Sequence, residues 1–97
     1  MAGKVITVRG QLVDGSHEAF LEIARKIEEL TPEGEHGCRL YQFFTAVENP
    51  SEWLLFEIWD DEAGIASHLE TLDREVGRRS LAPLSLGLHR EYWTPVR

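Results

Sequence analysis

The sequence has little cysteine, few basic residues and no long apolar run, and each shortage excludes a class of protein. Cys38 is the only cysteine, so an internal disulfide is excluded. The 10 basic residues against 17 acidic ones give a net charge of −7, which disfavours nucleic acids and anionic membranes as partners. No apolar run approaches the roughly 20 residues of a membrane span, and the first residues lack the apolar core of a signal peptide. We therefore expect a cytoplasmic protein.

The composition is typical of one globular domain, which we place at residues 1–97. Hydrophobic residues make up 42% of the chain and charged residues 28%, and a chain of this length buries only a modest core. Nine aromatic residues, three of them tryptophan, supply large apolar surfaces. A small domain with a surplus aromatic face often buries that face against a partner subunit.

The stretch from Trp53 to Leu69 predicts a strand that runs directly into an amphipathic helix. Residues 53–59 are apolar and aromatic apart from Glu57, which is typical of a strand buried on both faces. Asp60 and Asp61 end the strand, and either suits the N-cap of a helix of roughly residues 61–73 that could extend to Gly77. This helix has apolar side chains at helical spacing, namely Ile65, Leu69, Leu72 and Val76.

The rest of the chain predicts three more strands and one more helix. β-Branched residues mark the first strand, and apolar residues at steps of three and four mark a helix that Ser16 caps. The Glu48–Ser51 turn is short enough to join the second and third strands as a hairpin. The remaining predicted elements are strands at 5–13, 38–47 and 88–96, a helix at 16–30 and a loop at 78–87.

The order β-α-β-β-α-β is that of the ferredoxin-like fold, an α+β architecture with a four-stranded antiparallel sheet and both helices on one face. Alternation along the third strand puts Leu54, Phe56 and Ile58 on one side, which we expect to lie under the helices. The other side of the sheet would then expose aromatic residues, so we expect a homodimer joined sheet face to sheet face. The residues expected on this open face are Arg9, Tyr41, Phe43, Trp53, Leu55, Glu57 and Trp59.

Four short motifs carry a family resemblance. They are Gly37-Cys38-x-x-Tyr41, Glu48-Asn49-Pro50, the run from Phe56 to Ala63, and Ser67-His68-Leu69. Together they resemble the antibiotic biosynthesis monooxygenase family over residues 4 to about 72. The resemblance implies a dimeric α+β barrel of ferredoxin-like subunits. It also implies oxidation of quinols or anthrone-type polyketides by dioxygen without a bound metal or flavin, although some relatives bind and degrade haem.

His68 and Glu57 are the two predicted catalytic residues. His68 is either a structural histidine, hydrogen-bonded to Glu57 or to a backbone carbonyl, or a general base that titrates near neutrality. The resemblance favours the base, because His68 falls on the family's histidine. A buried Glu57 must be paired or protonated, and Arg9 on the same predicted face or His68 is its expected partner. A structural salt bridge remains the alternative to a catalytic role for Glu57.

Five further side chains are predicted to bind the substrate. Trp59 would stack its indole on an aromatic ring, and Tyr41 would either donate a hydrogen bond to a ligand oxygen or simply pack. The predicted substrate-binding residues are Trp59, Arg9, Tyr41, Phe43 and Thr7, and no residue is assigned to a metal or a cofactor.

The sequence thus predicts a homodimer that oxidises a small aromatic, quinol or anthrone-type compound with dioxygen and without a cofactor. In this interpretation His68 is the base, Trp59 is a stacking wall, and Glu57 and Arg9 are an orienting pair. A non-catalytic dimeric barrel that binds a small apolar ligand and a haem-binding relative are the two alternatives.

Overall fold

The computed structural model, which describes residues 4–31, 37–76 and 81–96, contains the six predicted elements in the predicted order. The sheet is antiparallel with strand order β2-β3-β1-β4, so the ferredoxin-like α+β fold is confirmed. No helix in these three ranges is long and apolar enough to cross a membrane. The elements are β1 (Lys4–Leu12), α1 (His17–Glu29), β2 (Cys38–Thr45), β3 (Glu52–Trp59), α2 (Glu62–Glu75), a 3-10 turn (Ala82–Leu84) and β4 (Ser85–Trp93).

Both helices begin where the sequence indicates, although only one is capped by a side chain. Asp61 Oδ1 accepts a hydrogen bond of 2.9 Å from the backbone N–H of Gly64 and so caps α2. Ser16 precedes α1, but its hydroxyl donates to the Val13 carbonyl at 2.6 Å instead. The predicted loop at 78–87 is wrong at its end, because β4 already begins at Ser85; Gly77 and residues 78–80 lie outside the described ranges.

The structure reverses the predicted orientation of β3. Each even-numbered residue of β1 lies opposite an odd-numbered residue of β3, as Ile6 does opposite Glu57. Direct partners share a face of the sheet, and the even-numbered side chains of β1 are the buried ones. The expectation that Leu54, Phe56 and Ile58 lie under the helices is therefore wrong. The residues of β3 that face the helices are Trp53, Leu55, Glu57 and Trp59.

The core lies between the sheet and the two helices. Phe20 of α1 packs on Trp53 and on Phe43, with ring centroids 5.3 and 5.8 Å apart. In α2 the buried positions are Gly64, His68 and Leu72. The stripe predicted for α2 is thus displaced, because its members Ile65 and Leu69 are only partly buried and His68 lies at the centre of the buried face.

Gly10 gives the Trp53 side chain room to cross the sheet. The two residues are direct partners in β1 and β3, and a Cβ atom on Gly10 would lie 3.2 Å from Trp53 Nε1. The indole Nε1–H reaches over β1 and donates a 2.9 Å hydrogen bond to Ser85 Oγ in β4. This buried bond ties β3 to β4, which are not neighbours in the sheet.

The sheet face turned away from the helices is apolar in its middle and polar toward β4. Leu54, Phe56 and Ile58 are half-buried there, and Phe44 on the edge strand β2 is 43% exposed. Toward β4 the pairs Thr7–Glu91 and Arg9–His89 lie on this face. The contacts between their side chains are Arg9–Glu91 at 3.8 Å and His89–Glu91 at 3.4 Å, and Trp93 Nε1 donates to Thr7 Oγ1 at 2.9 Å.

Candidate functional site

A cavity of about 190 Å³ lies between the sheet and the helices and defines the candidate site. Most of its wall is apolar and comes from β1, β3, α1, α2 and the residues around β4. Four polar side chains interrupt this wall, and they are Tyr41, Glu57, His68 and Arg90. An apolar pocket with a few convergent polar groups is the usual form of a small-molecule site.

His68 is held in the cavity wall by the end of α1. It is 4% exposed, and its Nδ1 lies 3.3 Å from Thr31 Oγ1. The Thr31 hydroxyl hydrogen is committed to the Ile27 carbonyl at 2.8 Å, so this oxygen acts as acceptor toward the imidazole. Nδ1 therefore carries the hydrogen in the neutral ring, and Nε2 carries the lone pair that can take a proton.

Two aromatic rings fix the plane of the imidazole. The Tyr41 ring stands edge-on to His68 with centroids 4.8 Å apart, and the Trp59 ring is tilted against it at 5.0 Å. Trp59 is fully buried. Packing on two sides restricts His68 to one orientation, which is what a positioned base requires.

Glu57 is a buried carboxyl whose hydrogen-bond partner is Trp59. The side chain is 6% exposed, and its Oε1 accepts from Trp59 Nε1 at 2.8 Å. Burial raises the pKa of Glu57, while the Trp59 hydrogen bond and the positive charge of Arg90 act in the opposite direction. The carboxyl is therefore easier to protonate than an ordinary glutamic acid.

Tyr41 remains a phenol at any physiological pH. Its pKa is raised chiefly by burial and further by the neighbouring Glu57, its direct partner across β2 and β3; Arg90 opposes the shift. A protonated hydroxyl on the cavity wall can donate a hydrogen bond to a ligand oxygen. Tyr41 lines the cavity, and its ligand-binding role stays a prediction.

The arginine associated with Glu57 is Arg90, and the predicted Arg9–Glu57 pair is corrected. Arg9 lies opposite Leu54 and pairs with Glu91 on the open face, away from the cavity. Arg90 lies opposite Val8 and lines the cavity. The prediction was wrong because the sequence does not give the register of β1 and β3, which places Arg9 and Glu57 on opposite faces of the sheet.

The structure brings together only part of the predicted site. His68, Glu57 and Tyr41 line the cavity, whereas Thr7 and Arg9 lie on the other face of the sheet. Trp59 and Phe43 face the helices but lie behind the cavity wall, since neither is among its lining residues. Trp59 packs on His68 and binds Glu57, so it supports the wall and does not present its indole to the cavity.

Sequence reasoning missed two residues of the site, Thr31 and Arg90. The sequence signal at Thr31 is its position before Pro32, which predicts the end of α1 and does not indicate a contact with His68. Along β4, Arg90 shares a face with Leu88 and Tyr92. The register of β1 and β4, which the sequence does not give, shows that this face is the one turned toward the helices. Within the described ranges, no group of three His, Cys, Asp or Glu side chains could hold a metal ion.

Comparison with known proteins connects this geometry to one family. The model of the family described as antibiotic biosynthesis monooxygenase matches residues 5–76, which include the strand that carries Glu57 and the helix that carries His68. No curated protein matches the chain.

Solved structures share the fold at low sequence identity. Three of them are proteins classed provisionally as antibiotic biosynthesis monooxygenases. The protein from Bacteroides thetaiotaomicron has a TM-score of 0.85 at 20% identity, over 99% of this chain and 91% of that one. The Nitrosomonas europaea protein has a TM-score of 0.83 at 19% identity, over 97% and 90%. The Deinococcus radiodurans protein has a TM-score of 0.80 at 18% identity, over 97% and 93%. At 18–20% sequence identity, these comparisons show a shared fold and nothing about activity.

Proposed function

The chain belongs to the antibiotic biosynthesis monooxygenase family, and from this premise we propose that it oxidises a small phenol or hydroquinone with dioxygen in the cavity beside His68. The observation that carries the proposal is the placement of His68, a buried imidazole in an apolar wall whose Nδ1 is occupied by Thr31. Because Nδ1 is bonded to Thr31 and the ring is buried, Nε2 of His68 is held in a fixed position and can act as a general base.

The size of the cavity favours a single-ring substrate. An engineered apolar cavity of about 150 Å³ binds benzene, so about 190 Å³ accommodates one ring with a few substituents. The three fused rings of an anthrone need more space. Of the predicted substrate classes, a small phenol or quinol therefore fits best.

The reaction begins with proton transfer from a substrate hydroxyl to His68 Nε2. The resulting phenolate passes one electron to dioxygen, and superoxide and the ring radical combine to form a new C–O bond. His68 returns its proton to the terminal peroxide oxygen. The O–O bond then breaks, and water leaves with the hydrogen of the attacked ring carbon. Overall, hydroquinone and dioxygen give hydroxyquinone and water, and His68 is restored.

Tyr41 and Glu57 shape the environment of this proton transfer. The Tyr41 hydroxyl donates a hydrogen bond to the phenolate oxygen, which stabilises the anion in a dry site. Burial raises the pKa of Glu57 and so makes it easier to protonate than an ordinary glutamic acid, and in its protonated form it adds no negative charge that would oppose phenolate formation. Glu57 thus acts by limiting charge in the cavity, in place of the orienting pair expected from the sequence.

The proposed active unit is a homodimer joined through the open sheet face. The half-buried side chains Leu54, Phe56 and Ile58 form an apolar stripe there with Phe44 and Val5. Burying one such side chain contributes roughly 1.5–3 kcal/mol, so several together can offset the entropy of association. The cavity opens on the other side of the sheet and remains accessible in this arrangement.

Oxygen uptake with methylhydroquinone tests the proposal. We expect consumption by the wild type above the uncatalysed rate and a loss of about 10²–10⁴-fold in His68→Gln, because a positioned base supplies that factor. Ser67→Ala, at the adjacent and less buried position, is the control and keeps its activity. Absence of uptake in the wild type would leave the non-catalytic ligand-binding barrel as the better account, whereas full activity in His68→Gln would remove His68 from the mechanism. Haem binding is not supported, because a haem macrocycle is far larger than the cavity.

A further inference from the structure

We infer that the ligand of this cavity carries a carboxylate, which Arg90 binds at the cavity mouth while the aromatic ring enters the apolar interior. Arg90 is the one lysine or arginine among the described residues that line the cavity. It projects from the edge strand β4 at the position opposite Val8 and is exposed, so its guanidinium reaches both the cavity and solvent. The inference deepens the proposed function by naming the class of its substrate, a small aromatic acid.

The apolar interior of the cavity offers a carboxylate no cationic partner, which places the carboxylate of the ligand at the mouth. A carboxylate held in the interior would lose its hydration without gaining an ion pair, and the same effect of burial raises the pKa of Glu57 despite its hydrogen bond from Trp59. At the mouth, Arg90 offers a planar fork of N–H donors that matches both oxygens of a carboxylate.

The width of the sheet matches a ligand with polar groups at its two ends. Tyr41 lies on β2 and Arg90 on β4, the two edge strands, with β3 and β1 between them. Three strand spacings of about 4.8 Å separate their backbones by about 14 Å. A phenol side chain and an extended arginine side chain reach inward from the two edges. The remaining gap suits one aromatic ring with a hydroxyl toward Tyr41 and His68 and a carboxylate toward Arg90.

Because the protein as a whole is negatively charged, Arg90 makes the cavity the place where an anionic ligand is preferred over a neutral one. With a net charge of −7, the protein repels anions over most of its surface. Arg90 is the local exception at the cavity, and its positive charge already influences both Tyr41 and Glu57. A neutral ring of the same shape lacks this contact, so charge rather than size distinguishes the two ligands.

Calorimetric titration with benzoate and with benzamide, a neutral ligand of nearly the same shape, tests the inference without requiring turnover. We expect benzoate to bind the wild type about five- to tenfold more tightly, a factor between those of an exposed ion pair and a buried one. Arg90→Gln should abolish this preference. Arg25→Gln on the exposed side of α1 makes the same change in net charge and should keep it. Arg90→Met, which retains the aliphatic stem, repeats the test if Arg90→Gln is poorly folded.

Three results would overturn the inference. The first is equal affinity for benzoate and benzamide in the wild type, and the second is no benzoate binding at millimolar concentration. The third is a benzoate preference that survives in both Arg90 variants. Oxygen uptake with 2,5-dihydroxybenzoate is measured separately. If benzoate binding depends on Arg90 but no oxygen is consumed, the ligand class stands and the proposed oxidation fails.

Discussion

Thr31 shows how one hydroxyl can determine the chemistry of a neighbouring imidazole. It donates to the Ile27 carbonyl at 2.8 Å and accepts from His68 Nδ1 at 3.3 Å, and it is itself buried. These two contacts leave the proton-accepting role to Nε2. Thr31 is therefore a positioning residue, because it acts on the substrate only through His68.

Replacing Thr31 by valine tests this role by removing the hydroxyl while preserving the shape. We expect the Nδ1–H tautomer of His68 to lose population, visible in the imidazole ¹⁵N chemical shifts, and oxygen uptake to fall about tenfold, a partial loss of base catalysis. Loss of the bond to Ile27 should also cost about 1 kcal/mol of stability. Thr31→Ser restores the hydroxyl and should restore the tautomer. Unchanged ¹⁵N shifts in Thr31→Val would contradict the assignment.

Glu57 should make the stability of the protein depend on pH. Its pKa is raised in the folded chain, whereas in the unfolded chain the carboxyl has its ordinary value of about 4.3. The folded state therefore binds the proton more tightly. The resulting stabilisation is fully present below the unfolded pKa and is lost as the pH rises through the folded pKa.

Urea denaturation of Glu57→Gln between pH 4 and pH 8 measures this contribution. Glutamine keeps an oxygen that can accept from Trp59 Nε1 but does not titrate, so the fall in stability with rising pH should become shallower. Glu70→Gln on the exposed side of α2 is the matched control and should retain the wild-type slope. A Glu57→Gln profile parallel to that of the wild type would show that Glu57 does not titrate in this range.

At the scale of elements, the hydrogen bond from Trp53 to Ser85 ties the inner strand β3 to the edge strand β4 across β1. The indole crosses β1 above Gly10, where a Cβ atom would crowd it, and donates to Ser85 in β4. A buried N–H group without a partner costs about 1–3 kcal/mol.

Ser85→Ala should therefore lower the free energy of unfolding by about 1–3 kcal/mol. Ser51→Ala, at an exposed turn position between β2 and β3, should change it by less than about 0.5 kcal/mol. Urea denaturation at one fixed protein concentration compares the two, since association also contributes to apparent stability. Equal effects of the two substitutions on the free energy of unfolding would show that the Trp53–Ser85 hydrogen bond does not stabilise the fold.

The order and type of the elements were predictable, because turns, caps and apolar periods are local signals. Asp61 and the Glu48–Ser51 turn are two such signals, and both lie where the elements change. The face of β3 was not predictable, because both of its sides are apolar and only pairing with β1 distinguishes them. The same limit applies to the candidate site: His68 and Glu57 were predicted from residue type and from the family resemblance, whereas the place of Arg90 depends on the register of β4.

At the scale of the whole molecule, the open sheet face should determine the assembly. Phe56 lies at its centre, between Thr7 of β1 and Gln42 of β2. We expect light scattering to report a dimer at micromolar concentration for the wild type and a monomer for Phe56→Lys, because a lysine would be desolvated at the interface. Val47→Lys, at an exposed position after β2, should remain dimeric. A monomeric wild type would contradict the proposed assembly.

The central claim is that this cavity inserts one atom of dioxygen into a phenolic ring. The most direct measurement is turnover of methylhydroquinone or 2,5-dihydroxybenzoate under ¹⁸O₂, with immediate reduction of the product so that no quinone oxygen exchanges with water. Mass spectrometry should find one labelled oxygen atom in the product of the wild type and none above background with His68→Gln. Product formed without label, or labelled equally by both proteins, would contradict the account.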